Sequence, residues 1–204
     1  MIITKLQADK SKKVKVFIDG EYAFFISRKE LDELLLEEGQ EIDENQYDVI
    51  LEEIIYPKAK EKALSILDIS DKTENELRFK LLQAGYPDSI VTDVLDYLKS
   101  YGYINDERYA RAYINSNRQT KSKLAIRTVL AQKGIDRDIV DRVMEEEYQP
   151  EDGSDYELEA IKRVIAKKTA SLKELDENQR QKLIASLYRK GFTLDKIINA
   201  LDCR

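Results

Sequence analysis

The side chains best placed to do chemistry are the cations in the middle of the chain. From Arg108 to Lys133 there are seven basic residues and no Asp or Glu, in a chain with 40 acidic and 34 basic residues. The seven are Arg108, Arg111, Arg118, Lys121, Lys123, Arg127 and Lys133. Guanidinium and ammonium groups bind carboxylates and phosphates. A basic stretch without acids therefore suits a polyanion or an acidic protein surface.

The spacing of these cations predicts that helices present them outward. The first stripe consists of Arg108, Arg111, Asn115 and Arg118. Intervals of three and four residues place such side chains along one side of a helix. Lys123 and Arg127 are four residues apart and predict a second basic helix. An alternative stays open, because a charge run is often only the solvated face of a helix.

A second set of cations follows between residues 160 and 173, where there are five basic residues and no acid. Its candidate binding residues are Lys162, Arg163, Lys167 and Lys168. The segment 1–57 is different, with 7 basic and 14 acidic side chains. The net charge of −6 would by itself argue against a nucleic-acid partner. Because the cations are bunched in a few segments, the local distribution of charge is the better guide to the partner.

The composition excludes several kinds of enzyme. The chain has no His and a single Cys, Cys203, so His-based triads, imidazole metal sites and internal disulfides are excluded. No Gly-rich phosphate loop is present, and no cofactor is predicted. A carboxylate-only Mg²⁺ nuclease stays open. Its candidate residues are Glu151, Asp152, Asp155, Glu157 and Glu159, although a solvated polar linker explains the same residues.

The beginning of the chain predicts a small β-then-α unit. Asp19-Gly20 separates two β-branched and aromatic runs, which is typical of a hairpin with a type I′ turn. Ser27 and Glu30 form a capping-box pattern. A further helix is predicted from Asp43 to Pro57. We interpret residues 1–56 as an accessory or docking unit.

The rest of the chain contains three repeats. Each has an apolar helix pattern that ends at a glycine, with a leucine four residues before it and an apolar residue after it. The glycines are Gly85, Gly134 and Gly191, and the second interval between them is the longer one. The pattern predicts a mainly α fold with three tandem three-helix repeats in an elongated, curved array. The expected segments are 57–104, 105–149 and 150–204.

One constellation of motifs resembles a known family. Residues 101–110, Tyr-Gly-Tyr-Ile-Asn-Asp-Glu-Arg-Tyr-Ala, occur together with Gly85-Tyr86, Arg118 and Lys133-Gly134-Ile135. The combination resembles the RecX family, bacterial regulators of the RecA recombinase, over about residues 58–204. The N-terminal unit resembles that of the longer members. At Ser122, where members usually have glycine, this chain departs from the family, so the sequence does not fix the conformation of this corner.

The resemblance implies a fold and an activity. It implies three tandem three-helix repeats that bind the RecA–single-stranded-DNA filament in its groove or at its end. Filament extension, strand exchange, ATP hydrolysis and co-protease activity would be limited by this binding. Weaker, sequence-independent DNA binding is implied as well. We therefore expect a non-enzymatic regulator, and a charge reversal at Arg111 plus Arg127 is expected to weaken filament binding while the fold stays intact.

Two rival functions stay open beside this one. Helix pairs joined by short turns also occur in sequence-specific DNA-binding proteins, although no single recognition helix stands out. A helical array can also be a protein–protein scaffold. The absence of an apolar run of membrane-spanning length and of a signal-peptide pattern predicts a cytoplasmic protein without a membrane partner. The high charge of an elongated array fits a monomer.

The aromatic residues around the basic segment have packing as their first interpretation. Tyr101, Tyr103 and Ile104 are predicted to lie in the core or between repeats. Tyr109 and Tyr113 are predicted to pack inward, with base stacking as the alternative. Asn105 or Asp106 is predicted to cap the first basic helix, because a short polar side chain there can accept hydrogen bonds from free backbone N–H groups.

Overall fold

The computed structural model describes residues 1–9, 12–149, 153, 155–168 and 175–202. The chain forms two compact units, Met1–Ile104 and Asn105–Arg204. The fold is mainly helical, with one small antiparallel sheet near the N-terminus, as predicted. The division into four segments stays a prediction. Within the described part of the chain, no helix is both long and apolar enough to cross a bilayer.

The sheet has three antiparallel strands in the order β1-β2-β3. The strands are β1 (Ile3–Ala8), β2 (Lys13–Ile18) and β3 (Glu21–Ser27). Asp19 and Gly20 join β2 to β3 with φ values of 50° and 89°. Positive φ at both positions is the requirement of a type I′ turn, so the predicted hairpin is confirmed.

The first helices differ from the prediction at Pro57. Helix α1 (Arg28–Glu33) has the predicted capping box, and α2 (Glu44–Ile50) runs through a π-helical turn, Leu51–Ile55, into α3 (Tyr56–Leu67). The predicted helix end at Pro57 is wrong. The N–H of Tyr56 donates to the carbonyl of Leu51, the wider π spacing. The turn ends at Ile55, and Pro57 is the second residue of α3. Proline lacks an N–H and is tolerated near the start of a helix.

Nine helices in the described residues form the three repeats, as predicted. The first repeat contains α3, α4 (Glu74–Gln83) and α5 (Asp88–Ser100). The second contains α6 (Asp106–Asn117), α7 (Lys123–Gln132) and α8 (Arg137–Glu147). The third contains α9 (Tyr156–Ala166), α10 (Glu177–Arg189) and α11 (Leu194–Asp202).

The middle helix of each repeat ends as predicted. Gly85, Gly134 and Gly191 follow α4, α7 and α10 with φ values of 96°, 79° and 84°. In each repeat the N–H of the next residue donates to a leucine carbonyl five residues earlier. The apolar side chain of that next residue is buried. This is the glycine C-cap with its hydrophobic contact, and it starts the turn into the third helix.

The buried residues among those that the structure describes form three clusters. In the first unit one cluster extends from Ile3 to Ile104. It includes residues of the sheet, of the helix that runs from α2 through the π turn into α3, and of the rest of the first repeat. The second and third repeats have separate clusters of eight buried residues each. Ile114 and Leu130 lie in the second repeat's cluster, and Leu187 lies in that of the third.

The packing prediction is wrong for two tyrosines. Tyr101 is 68% exposed and Tyr103 is 50% exposed, whereas Ile104 is 3% exposed and belongs to the core. The chain reverses at Gly102, which has a φ of 70°. Because α5 has ended before this turn, only Ile104 is brought back onto the helices. The Tyr101 ring lies instead against Tyr97 on the surface, with 4.6 Å between the ring centroids.

Candidate functional site

Arg111, in the middle of the predicted basic stripe, is held by three carboxylates. Its Nη2 atom donates to Glu146 at 2.6 Å and to Glu107 at 3.0 Å. Its Nη1 atom donates to Glu147 at 2.6 Å. Glu107 is on the same helix, but Glu146 and Glu147 come from α8. The guanidinium therefore joins α6 to α8 inside the second repeat.

Arg118 and Asn115, two further residues of the stripe, also bind Glu147. Arg118 donates to the carbonyl of Glu147 at 2.6 Å, and its guanidinium carbon lies 4.1 Å from the centroid of the Tyr156 ring. The side chain of Asn115 also hydrogen-bonds Glu147. Arg111, Asn115 and Arg118 face α8, because α6 packs directly against that helix. A segment without acids in the sequence thus has acids beside it in space.

The ion pairs change the titration of the carboxylates. Hydrogen bonds from Arg142 and Arg111 lower the pKa of Glu107 to about 2. Burial alone would raise the pKa of Glu147, but hydrogen bonds from Arg111 and Asn115 hold it below its usual value. The same contacts raise the pKa of Arg111, with Glu146 as the largest cause. The contacts therefore favour the charged forms of Glu107, Glu147 and Arg111.

The cations around α7 also have contacts inside the second unit. Arg127 donates from Nε to Asp141 of α8 at 3.0 Å. The Nζ atom of Lys121 donates to the hydroxyl of Tyr113 at 2.7 Å, and that of Lys123 lies 4.5 Å from the centroid of the Tyr148 ring. These contacts position the side chains against their own helices and loops.

The ends of the basic run are placed differently. Arg108 is exposed, and its backbone N–H donates to the Oδ1 atom of Asn105 at 2.8 Å, which confirms Asn105 as the cap of α6. The Nζ atom of Lys133 lies 5.1 Å from the centroid of the Tyr109 ring. Tyr109 and Tyr113 are half-buried against the core of the repeat, as the packing interpretation predicts.

Ser122 joins the second repeat to the third. It is fully buried, has the extended conformation of a helix cap at φ −70°, and accepts a hydrogen bond from the N–H of Ala125 at 3.1 Å. Its hydroxyl donates to the carbonyl of Lys190, at the end of α10, at 2.6 Å. This corner needs no glycine, because its φ is in the range open to every residue. The serine takes part in repeat-to-repeat packing instead.

Sequence reasoning missed the polar contacts between these two repeats. Glu157 is buried, accepts from the backbone N–H of Lys123 at 3.3 Å, and pairs with Lys196 at 3.1 Å. The rings of Tyr148 and Tyr156 meet edge to face at 6.1 Å. One signal was available: Glu157 is four residues before Ile161, on the apolar side of α9. A carboxylate in that position needs a buried partner.

Two of the acidic residues considered for a nuclease site, Asp155 and Glu157, have structural roles. Asp155 caps α9 and pairs with Lys196 at 2.8 Å, and Glu157 shares that lysine. Glu151 and Asp152 lie outside the described residues. Among the residues that are described, no group of three or more His, Cys, Asp or Glu side chains is arranged to hold a metal ion.

The cations of the third repeat face solvent. Lys162, Arg163 and Lys167 are exposed, at the C-terminal end of α9 and just beyond it. Lys168 is also exposed and donates to the hydroxyl of Ser186 on α10. Residues 162–168 contain no acid. In the described part of the chain none of the four makes an ion pair, so their charge is available to a partner.

The carboxylate network predicts a loss of stability in acid. A folded-state pKa below the unfolded value contributes stability that is present above about pH 4.5 and lost as pH falls. For Glu107 the loss should occur between its ordinary value of 4.5 and about 2. Glu107→Gln removes this group, so the thermal midpoint should depend less steeply on pH in that window. Circular dichroism melts of both proteins between pH 7 and pH 2 measure it, and parallel curves would contradict the assignment.

Comparisons with known proteins agree with this architecture. Family models for the first, second and third three-helix domains of RecX match residues 59–98, 105–144 and 155–201. The chain is 34% identical to a regulatory protein RecX from Caldanaerobacter subterraneus, covering 99% of each chain. It is 31% identical to one from Clostridium acetobutylicum, covering 96% of this chain and 92% of the relative.

Two solved structures are similar as well. A crystal structure of regulatory protein RecX has a TM-score of 0.67 and 27% identity, covering 99% of this chain and 100% of the other. RecX from Lactobacillus salivarius has a TM-score of 0.62 and 25% identity, covering 73% of this chain and 97% of the other. Because all three repeats match the family models and the relatives align over nearly their full length, the chain belongs to the RecX family of regulatory proteins.

Proposed function

We propose that this protein is a negative regulator of RecA. It binds the RecA–single-stranded-DNA filament, in the groove or at the end, and limits filament extension, strand exchange, ATP hydrolysis and co-protease activity. The relatives named regulatory protein RecX support a regulatory role. The protein acts by binding and carries out no chemistry of its own. It works in the cytoplasm as a monomer and binds bare DNA weakly, without sequence preference.

The observation that carries the proposal is the exposed basic end of α9. Lys162, Arg163 and Lys167 make no ion pair within the described residues, and no acid interrupts the segment 162–168. The filament offers phosphates and acidic side chains, both of which attract such a surface. Lysine and arginine charges at the rim of an interface raise the association rate and favour a partner of opposite charge. This part of the third repeat is therefore the proposed centre of the contact.

The cations of the second repeat divide between two roles in this proposal. Arg111, Arg118 and Arg127 hold α6, α7 and α8 together through carboxylates of their own repeat. The side chains of Lys121 and Lys123 contact tyrosines, and within the described residues they make no ion pair. The charges of these two lysines are not cancelled, so Lys121 and Lys123 stay in the proposed surface. Arg108 and Lys133 belong to it by their position beside the same helices.

Charge reversal on α9 tests the proposal. The double substitution Lys162→Glu and Arg163→Glu should weaken binding to RecA filaments about tenfold, because two attractions become repulsions at an exposed surface. Cosedimentation with filaments on single-stranded DNA, over a range of protein concentrations, measures the change. The circular dichroism spectrum and melting curve should be those of the parent protein, because both side chains are exposed.

A matched control makes the same number of charge reversals at another place on the surface. Lys29→Glu with Lys80→Glu also reverses two exposed lysines, on α1 and α4, and should leave cosedimentation unchanged. Equal binding by the parent and the α9 variant would refute the proposed contact. Binding to bare DNA as strong as binding to the filament, with preference for one DNA sequence, would favour a sequence-specific DNA-binding protein instead.

A further inference from the structure

The first compact unit contains an open groove for which the regulatory function gives no role. Its volume is about 360 Å³, and it lies between the sheet and α3. The residues around it include Lys13, Phe25, Lys58, Glu61, Lys62 and Tyr86. This volume is at the lower end of the roughly 300–1,000 Å³ range of small-molecule sites. We propose that the groove binds a phosphate-bearing ligand of nucleotide size.

Three lysines from different places in the sequence meet at this groove. Lys13 comes from the start of β2, and Lys58 and Lys62 lie one turn apart on α3. Residues 1–104, the first compact unit, contain 22 acidic and 14 basic side chains. Despite this excess, only one carboxylate, that of Glu61, lines the groove among the described residues. The groove is thus a cationic site within an acidic part of the chain.

Two of the three ammonium groups are not neutralised by partners. Lys58 pairs with Glu30, which also hydrogen-bonds the cap of α1. The Nζ atom of Lys13 lies 3.9 Å from the centroid of the Phe25 ring. Neither Lys13 nor Lys62 makes an ion pair with any described residue. Ammonium groups left without anions around a concave surface are suited to hold phosphate oxygens.

The floor and the rim explain the expected size and chemistry of the ligand. The buried rings of Phe25 and Tyr86 form the floor, with 5.1 Å between their centroids. The hydroxyl of Tyr86 donates to the carbonyl of Lys58 at 3.2 Å, which fixes the ring below α3. Ser65 adds a hydroxyl at the rim. Cations, a hydroxyl and two aromatic rings around one groove suit a small ligand with an organic part and a phosphate.

Two sources supply this chemistry: a free nucleotide and the phosphorylated end of a DNA strand. The test uses the full-length chain without RecA, so its result does not depend on the proposed function. Isothermal titration calorimetry with ADP and with a 5′-phosphorylated tetrathymidylate measures binding. Adenosine and the unphosphorylated tetrathymidylate are the controls. Binding of ADP but not of adenosine, or tighter binding of the phosphorylated than of the unphosphorylated tetrathymidylate, supports the proposal and identifies the source, since the weak DNA binding proposed above is common to both tetrathymidylates.

Variants with opposite expected effects connect the binding to the groove. Lys13→Gln and Lys62→Gln should each weaken binding of the phosphorylated probe roughly threefold to tenfold. Glu61→Gln removes the one carboxylate and should tighten it by a similar factor, a gain that misfolding cannot produce. Lys60→Gln is the control on the same helix, since its Nζ atom lies 3.6 Å from the Tyr97 ring centroid, outside the groove. No binding at millimolar probe, or equal affinity in all four variants, overturns the proposal.

Discussion

Arg111→Glu should destabilise the second repeat by about 2–3 kcal/mol instead of acting on partner binding alone. The substitution removes the cation shared by Glu107, Glu146 and Glu147 and places a fourth carboxylate among them. Breaking a buried pair costs about 3–5 kcal/mol. The Arg111 side chain is 38% exposed, so solvent screening reduces that figure. Thermal denaturation followed by circular dichroism measures the loss.

This result would change how a binding defect is interpreted. The sequence alone suggests that reversing Arg111 plus Arg127 leaves the fold intact, but both side chains pair with carboxylates of α8. Weaker filament binding by that double variant would therefore report lost structure as well as lost contact. Arg137→Glu is the matched control, because its side chain is 91% exposed and should melt like the parent. If Arg111→Glu also melts like the parent, the network has no structural role.

Gly191→Ala should destabilise the second unit by about 2–5 kcal/mol. Gly191 has a φ of 84°, a conformation that costs a residue with a Cβ atom about 1–2 kcal/mol. An added Cβ atom would also lie 2.8 Å from the Oγ of Ser122 and 3.1 Å from the Cβ of Leu124. Both atoms belong to the second repeat, so the clash adds about 1–3 kcal/mol of overpacking. Chemical denaturation gives the free energy of unfolding.

A second glycine separates the two causes. Gly39 has the same φ of 84°, but nothing lies within 4 Å of a Cβ atom added there. Gly39→Ala should therefore cost only the backbone component, about 1–2 kcal/mol. The difference between the two variants measures the packing of the third repeat on the second. Equal losses would show that the contact through Ser122 contributes little.

Local features of the fold could be predicted from the sequence because neighbouring residues determine them. The Asp19-Gly20 turn and the three glycine caps depend on φ values that few residues adopt, so their residue types reveal them. The helix that passes through Pro57 could not be predicted in this way. A π turn has no residue signature of its own, and the usual effect of proline is to end a helix. The exposure of Tyr101 depends on the path of the chain after α5.

The candidate site was harder to predict because ion pairs depend on which residues the fold brings close together. The basic run from Arg108 to Lys133 has no acids along the chain, yet its arginines meet residues 14 to 36 positions away. The three-helix repeat places α8 beside α6, which brings the carboxylates of α8 close to the arginines. The cations of α9 are not paired in this way, because no acidic side chain among the described residues lies within ion-pair distance of them. The composition identified both basic segments but did not indicate which of them pairs with carboxylates of its own repeat.

The continuous helix from Glu44 to Leu67 limits how members of this family can differ in length at their beginning. The core of the first repeat is also the core of the sheet, so Ala59 and Ala63 on α3 are both fully buried in one cluster. A gene that lost the strands would uncover the π-helical turn, which packs against β3, and the ring of Tyr86, which packs against Phe25. Truncation in evolution would then require polar substitutions on the retained helices, so changes in length and in sequence at this end must occur together.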